Sequence, residues 1–192
     1  MKLPVIPAAV TSERLLLRSP RLEDAMALYY GVRESLPELK PWMPWATDDY
    51  NLVGCERDLR EAIAAFVTGK DLRYHIFERS NGELLGSTGL HRIDWRVPRF
   101  EIGYWLRSSK TGAGYVTEAV RALAAMAFEE LGANRVDIRC DDRNLASAAV
   151  AERCGFELEA ILRNWTVAGD GTLAHERVYR RLDASGLEAP SE

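Results

Sequence analysis

The stretch SSKTGAGYVTEAV (residues 108–120) sets two glycines, Gly112 and Gly114, directly ahead of an amphipathic helical pattern. The FEIGYWL segment before it (100–106) alternates as a strand. Together these are the parts of an anion site. The first N–H groups of a helix lack intrahelical partners, and the macrodipole adds partial positive charge there. Glycine lets a ligand approach the backbone with no Cβ in the way. Lys110 can add a charge at the rim. The same features also describe a plain strand-to-helix turn, so the surrounding residues must decide.

Two familiar phosphate motifs fail. GxxxxGK[ST] is absent, since no such lysine follows either glycine. GxGxxG needs glycine at 117, where the chain has Thr117, and it normally opens a parallel domain rather than following several hairpin strands. Metal chemistry also lacks a basis. Cys55, Cys140 and Cys154 have no metal-ligand spacing, and His75, His91 and His175 are far apart in strand-like contexts. Each histidine reads as an ordinary strand residue, and Cys154 as a small core residue at a helix end.

The elements that must position the glycine turn follow from periodicity. RLLLR (14–18) reads as a first strand and RLEDAMALYYGVRES (21–35) as a helix. LPELKPWMPWATDDYN (36–51), with three prolines and two tryptophans, reads as a loop or broken turns. A second helix is expected over 52–67, ended by Gly69. LRYHIFER (72–79), LLGSTGLHRID (84–94) and RFEIGYWL (99–106) are strands, the first two joined at the NGEL turn. A helix from about Gly114 to about Leu131 stops at Gly132, and RVDIRC (135–140) is the next strand. NLASAAVAERCGF (144–156) is a helix with Asn144 as N-cap and Gly155 as terminator. ELEAILR (157–163) and HERVYRRL (175–182) close the chain as strands around the AGDGT turn. The order is an α+β fold: one mixed, mostly antiparallel sheet with helices on both faces and one βαβ crossing from Phe100 to Cys140. Residues 1–10 read as an N-terminal extension, 11–183 as the domain and 184–192 as a frayed tail.

Composition sets the outer bounds. Of 192 residues, 47% are hydrophobic and 28% charged, enough apolar material for the core of one sizeable domain. A net charge of −4 argues against nucleic acid as the main partner and is compatible with a cationic substrate. The opening MKLPVIPAAVTSERL is short and broken by prolines, with no signal peptide or long apolar run, so a cytoplasmic protein without a membrane partner is expected.

TGAGYVTEAV (111–120) resembles the acyl-CoA pyrophosphate loop of the GNAT acetyltransferase superfamily, whose pattern is Gln/Arg-x-x-Gly-x-Gly/Ala. Thr111 stands at the Gln/Arg position, Gly114 at the first glycine and Val116 at the last small residue, so two positions depart from it. EIGYWL, NLASAAVAERCGFELE, the proline–tryptophan stretch ELKPWMPWA and the strand order are similar to the RimJ/RimL branch, over about residues 14–182. The resemblance implies acetyl-CoA as co-substrate, no metal, and a sheet splayed between the fourth and fifth predicted strands, FEIGYWLR and RVDIRC. The pantetheine arm would pair with backbone around Gly103, Tyr104, Trp105 and Leu106. The pyrophosphate would sit on Lys110, Thr111, Gly112, Ala113, Gly114, Tyr115, Val116 and Thr117. Asn144 and Ser147 would face the pantetheine, with Ser147 donating to the departing thiolate. It is compatible with a monomer or a homodimer.

Chemistry at the thioester would then run as follows. A backbone N–H near Tyr104 stabilises the oxyanion, and Glu101, on the strand beside the thioester, is the first candidate base, ahead of Asp94. Glu118 reads as a first-turn structural carboxylate. Trp42, Trp45 and Trp95 would shape the acceptor pocket. The acceptor would be a protein or peptide N-terminal α-amine or an aminoacyl amine. A polyamine or aminoglycoside acceptor, and a CoA-binding regulatory module with little turnover, are the alternatives.

Overall fold

The computed structural model describes residues 3–168 and 171–187. Eight strands form one sheet in the order β1-β2-β3-β4-β5-β6-β8-β7. They are β1 Ala9–Thr11, β2 Leu15–Arg18, β3 Leu72–Glu78, β4 Leu84–Asp94, β5 Arg99–Leu106, β6 Arg135–Asp141, β7 Glu157–Val167 and β8 Leu173–Arg181. Four α-helices accompany them: α1 Ala25–Leu39, α2 Leu52–Val67, α3 Tyr115–Glu129 and α4 Leu145–Arg153. All neighbouring strands are antiparallel except β5 and β6. The mixed α+β sheet expected from periodicity is present. No helix among the described residues is long and apolar enough to cross a membrane.

Side-chain alternation divides the sheet into two faces. Leu15, Leu17, Tyr74, Ile76, Phe100 and Ile102 bury with Val120, Leu123 and Met126 of α3 and Ala148 and Ala151 of α4. Leu16, Phe77, Leu84 and Trp105 turn the other way and pack with Leu28 of α1 and Leu59 of α2.

The parallel pair carries the feature that positions the site. β5 and β6 pair from Arg99↔Arg135 through Ile102↔Ile138 and no further, although β5 runs on to Leu106 and β6 to Asp141. The sheet therefore opens from Gly103 onward. This is the splay implied by the resemblance, counted one strand later because β1 precedes it.

Four differences from the sequence reading have local causes. A strand, β1, begins within the supposed N-terminal extension and crosses its boundary, and there the Tyr74 hydroxyl donates to the Pro7 carbonyl at 2.7 Å and Ile6 packs on the core. Helix α1 continues through Pro37 to Leu39 instead of ending at Ser35, because Val32, Leu36 and Leu39 bury together against Ala46. Pro37 forfeits a hydrogen bond to the Arg33 carbonyl, a cost that this burial offsets. Strand β7 runs four residues beyond Arg163 to Val167. Residues 184–187 form a turn that rests Leu187 on the core, while the rest of the supposed tail, 188–192, and two residues of the AGDGT turn, 169–170, lie outside the described residues.

Candidate active site

Two cavities flank β5. The first, of about 690 Å³, lies between α1, α2, the loop after α1 and strands β3 to β5. The second, of about 600 Å³, lies between the end of β5, the start of α3 and α4. Both are walled by Met43, Tyr104 and Trp105. A ligand in one can therefore meet a ligand in the other at the point where β5 has left β6.

The second cavity receives most of the residues singled out by the glycine turn. Trp105, Leu106, Thr111, Gly112, Gly114 and Tyr115 line it, as do Val116, Thr117, Asn144 and Ser147. Gly112 and Gly114 both have φ +81°, the left-handed region that favours glycine, and Gly114 is the N-cap of α3. The first N–H groups of α3 have no intrahelical acceptors, and Tyr115, Val116 and Thr117 of that first turn line the cavity. At the other wall the Asn144 side chain accepts from the Ser147 N–H at 3.0 Å, capping α4 as expected. The Tyr104 hydroxyl lies 2.9 Å from Ser147 Oγ. Burial pushes the Tyr104 phenol well above its ordinary range, so it serves as a neutral hydrogen-bonding group.

Three expected members are elsewhere. Gly103 lines the first cavity. The Ala113 carbonyl accepts from Arg14 at 3.0 Å and lines neither cavity. The Lys110 ammonium is paired with Glu83 at 2.7 Å and lines neither cavity. The cation that does line the second cavity is Arg153, at the end of α4, with Nε 3.4 Å from Thr117 Oγ1 and no ion pair among the described residues. Its spacing from the turn, more than thirty residues, left no local signal. Glu118 is structural as read. It accepts from Ser12 at 2.7 Å and from the Arg14 backbone and guanidinium, which together outweigh burial and hold its carboxyl below the usual range.

The aromatic set separates. Trp45 lines the first cavity, set edge-on to Trp105 with ring centroids 6.1 Å apart. Trp42 lines the second cavity, not the first. Trp95 lines neither. It packs on Phe100 and donates its indole N–H to the Gly69 carbonyl at 2.8 Å, pinning the β4–β5 turn to the end of α2.

Glu101 also lines neither cavity. Burial raises its carboxyl pKa, opposed by the guanidiniums of Arg92 at 3.4 Å and Arg139 at 3.3 Å. Asp94, at the far end of β4, is clasped by Arg96. The ionisable groups on the first cavity's wall include Asp49, Asp58, Arg57, Arg73, His75 and His91. Asp58 and Arg73 pair with each other. His75 is fully buried, held by Asp24 at 3.0 Å, and burial depresses its pKa. His91, which the sequence presented as an ordinary strand residue, lines this cavity with about a third of its side chain exposed.

A splayed mixed sheet with a glycine-capped helix at the opening defines an acyltransferase of the GNAT type. Residues 14–157 match the acetyltransferase (GNAT) domain family, and the chain belongs to that family. An uncharacterized N-acetyltransferase, p20, of Bacillus licheniformis is 31% identical over 82% of this chain and 86% of its own length. The ribosomal-protein-serine acetyltransferase of Escherichia coli is 31% identical over 65% of this chain and 70% of its own. Among solved structures, the ribosomal L7/L12 α-N-protein acetyltransferase RimL in complex with coenzyme A superposes with a TM-score of 0.85 at 25% identity, covering 94% of this chain and 98% of that one. The fold also matches the microcin C7 self-immunity acetyltransferase MccE, at TM-score 0.84 and 24% identity over 93% of this chain and 98% of that one.

Proposed function

We propose that the protein transfers acetyl from acetyl-CoA directly to a primary amine, most favourably the α-amine of a peptide or protein N-terminus. The observation that carries this reading is the pair of cavities meeting at Tyr104 and Trp105. The second cavity suits coenzyme A. The left-handed glycines and the start of α3 offer N–H donors to a pyrophosphate, with Arg153 as the nearby cation. The open side of β5 from Gly103 to Leu106 suits an extended pantetheine arm, which needs main-chain partners more than side chains. The Thr111 and Val116 departures leave these backbone groups in place. In this reading a backbone N–H near Tyr104 would donate to the carbonyl oxygen of the adduct, and Ser147 to the leaving sulfur.

The first cavity suits the acceptor. Leu28, Val32, Met43 and Trp45 give it apolar wall, and Asp49 a carboxylate for a cation. An α-amine, of pKa about 7.7–8.0, is roughly a tenth neutral at pH 7, whereas a lysine amine near 10.4 is neutral in well under 0.1% of molecules. The named activities of the ribosomal-protein-serine and L7/L12 relatives support a protein terminus.

Thiol release from acetyl-CoA should be followed with short peptides bearing free N-termini, N-blocked lysine peptides, spermidine and an aminoglycoside. The highest kcat/KM is expected on a free N-terminus. A higher value on spermidine, an aminoglycoside or a lysine side chain would overturn the acceptor. CoA binding without amine-dependent thiol release would make the chain a binding module.

A further inference from the structure

The geometry points to His91 as the general base of this site and to Asp71 as the residue that positions it. The inference rests on the proposed amine acetylation and deepens it. His91 lies on β4 and lines the first cavity. Its Nδ1 is 2.7 Å from Asp71 Oδ2, in the connection between α2 and β3. A carboxylate only accepts, so Nδ1 carries a proton, and in the neutral ring the lone pair is on Nε2. Nε2 makes no hydrogen bond among the described residues, and about a third of the side chain is exposed.

The backbone has been cleared for this ring. Gly89 and Gly103 are register partners on β4 and β5. A Cβ on Gly89 would lie 2.8 Å from His91 Cε1 and 2.9 Å from Nε2. A Cβ on Gly103 would lie 3.0 Å from Cδ2 and 3.2 Å from Nε2. The imidazole thus occupies the space that side chains on two facing glycines would fill, with Nε2 close to both, where the sheet begins to open. Tyr104, which walls both cavities, is the next residue along.

Other charges share the surroundings. Glu101 is the cross-strand partner of His91, but its carboxylate faces Arg92 and Arg139. Arg73 of β3 and Asp58 of α2 are paired with each other, and Arg57 and Asp49 stand at the same cavity. His91 therefore offers what Glu101 does not, an uncommitted lone pair on the acceptor's side of β5.

The step balances without a co-reactant beyond the thioester and the amine. The ammonium gives one proton to Nε2, which returns it to solvent. The amine lone pair forms the C–N bond, and the C–S bond breaks with its electron pair on sulfur. The second N–H proton leaves the adduct as the thiolate is protonated, giving amide, thiol and one released proton.

The test is a kcat/KM profile from pH 7 to pH 9 for wild type, His91→Gln and Asp71→Asn on a peptide with a free N-terminus. Glutamine can still donate to Asp71, and calorimetry with CoA reports a folded donor site. At pH 7 His91→Gln should fall about tenfold, the fraction the base must supply for an α-amine, and Asp71→Asn less. At pH 9 the amine is already neutral, so both variants should come within twofold of wild type. A deficit equal at pH 7 and pH 9, or no deficit, in a variant that binds CoA normally would overturn the base while leaving acetylation standing. Wild type that acetylates no amine would overturn the functional reading and the base with it.

Discussion

The Tyr104 hydroxyl reaches Ser147 Oγ at 2.9 Å and the Ser147 carbonyl at 3.1 Å, tying β5 to the first turn of α4 across the mouth of the opened sheet. When Tyr104 donates to Oγ, the Ser147 hydroxyl hydrogen is left for an incoming anion. The pair should act as a unit. Ser147→Ala is expected to lower kcat on the order of 10²-fold at saturating acetyl-CoA, and Tyr104→Phe less. The double variant should be no worse than Ser147→Ala. Steady-state kinetics on the three variants decides, and a kcat within twofold of wild type for Ser147→Ala removes its role.

Gly114 gives a test of donor binding. Valine there meets a left-handed φ of +81° and places bulk at the N-cap of α3, so Gly114→Val should cost stability as well as CoA affinity. Gly132→Ala separates the two effects, because it also forces a side chain into left-handed backbone, at φ +67°, while lining neither cavity and meeting nothing within 4 Å. Calorimetric titration should show CoA binding lost in Gly114→Val and kept in Gly132→Ala. Unchanged affinity in folded Gly114→Val would place the cofactor elsewhere.

The division of the tryptophans predicts opposite kinetic signatures. Trp45→Ala should raise KM for the peptide acceptor, and Trp42→Ala should raise KM for acetyl-CoA. Trp95→Phe should leave both constants alone and lower stability by about 1 kcal/mol, the ordinary net contribution of one hydrogen bond. Two-substrate kinetics with thermal melts reads all three. A rise in both KM values for one variant would merge the cavities into one site.

Acid should weaken the fold through Asp24 and His75. Asp24 accepts from Arg18, Arg21 and His75, and these bonds overcome burial to hold its carboxyl far below the carboxylate range. His75 is buried and its pKa depressed, so below about pH 6.5 the unfolded chain binds a proton there that the folded chain does not. Stability should therefore fall with acidification from about pH 6.5 by up to ~1.4 kcal/mol per unit, before the further loss as Asp24 is protonated. His75→Gln should flatten the slope between pH 6.5 and 5 in urea titrations. An unchanged slope would assign the acid sensitivity to other groups.

Elements with strong local signals were legible from sequence. Residues 52–67, 84–94 and 99–106 fall where alternation, helical spacing and turn residues placed them. Elements held mainly by partners were not. The three residues of β1 are too few to show a period, and the last turn of α1 survives Pro37 only because Leu36 and Leu39 have somewhere to bury. The site divides the same way. The glycine turn and the Asn144 cap are local motifs and were found. The His91–Asp71 pair joins residues twenty apart, and its only trace was Gly89 two positions before His91 with Gly103 on the next strand. Lys110 shows the converse, a local charge whose direction was set by Glu83.

Within the sheet, four register pairs among the described residues, Arg99–Ile102 against the stretch from Arg135 to Ile138, join β1 through β5 to β6, β8 and β7. The sheet is thus two plates on a short seam. Each plate can fluctuate with its own opening free energy, and a bound pantetheine arm would act as a splint along the missing part of the seam. Amide exchange in the empty protein should resolve two cooperative units, with β6, β7 and β8 exchanging separately from β2 through β4. Saturating CoA should fuse them into one, so that a ligand touching few side chains protects amides across the whole sheet.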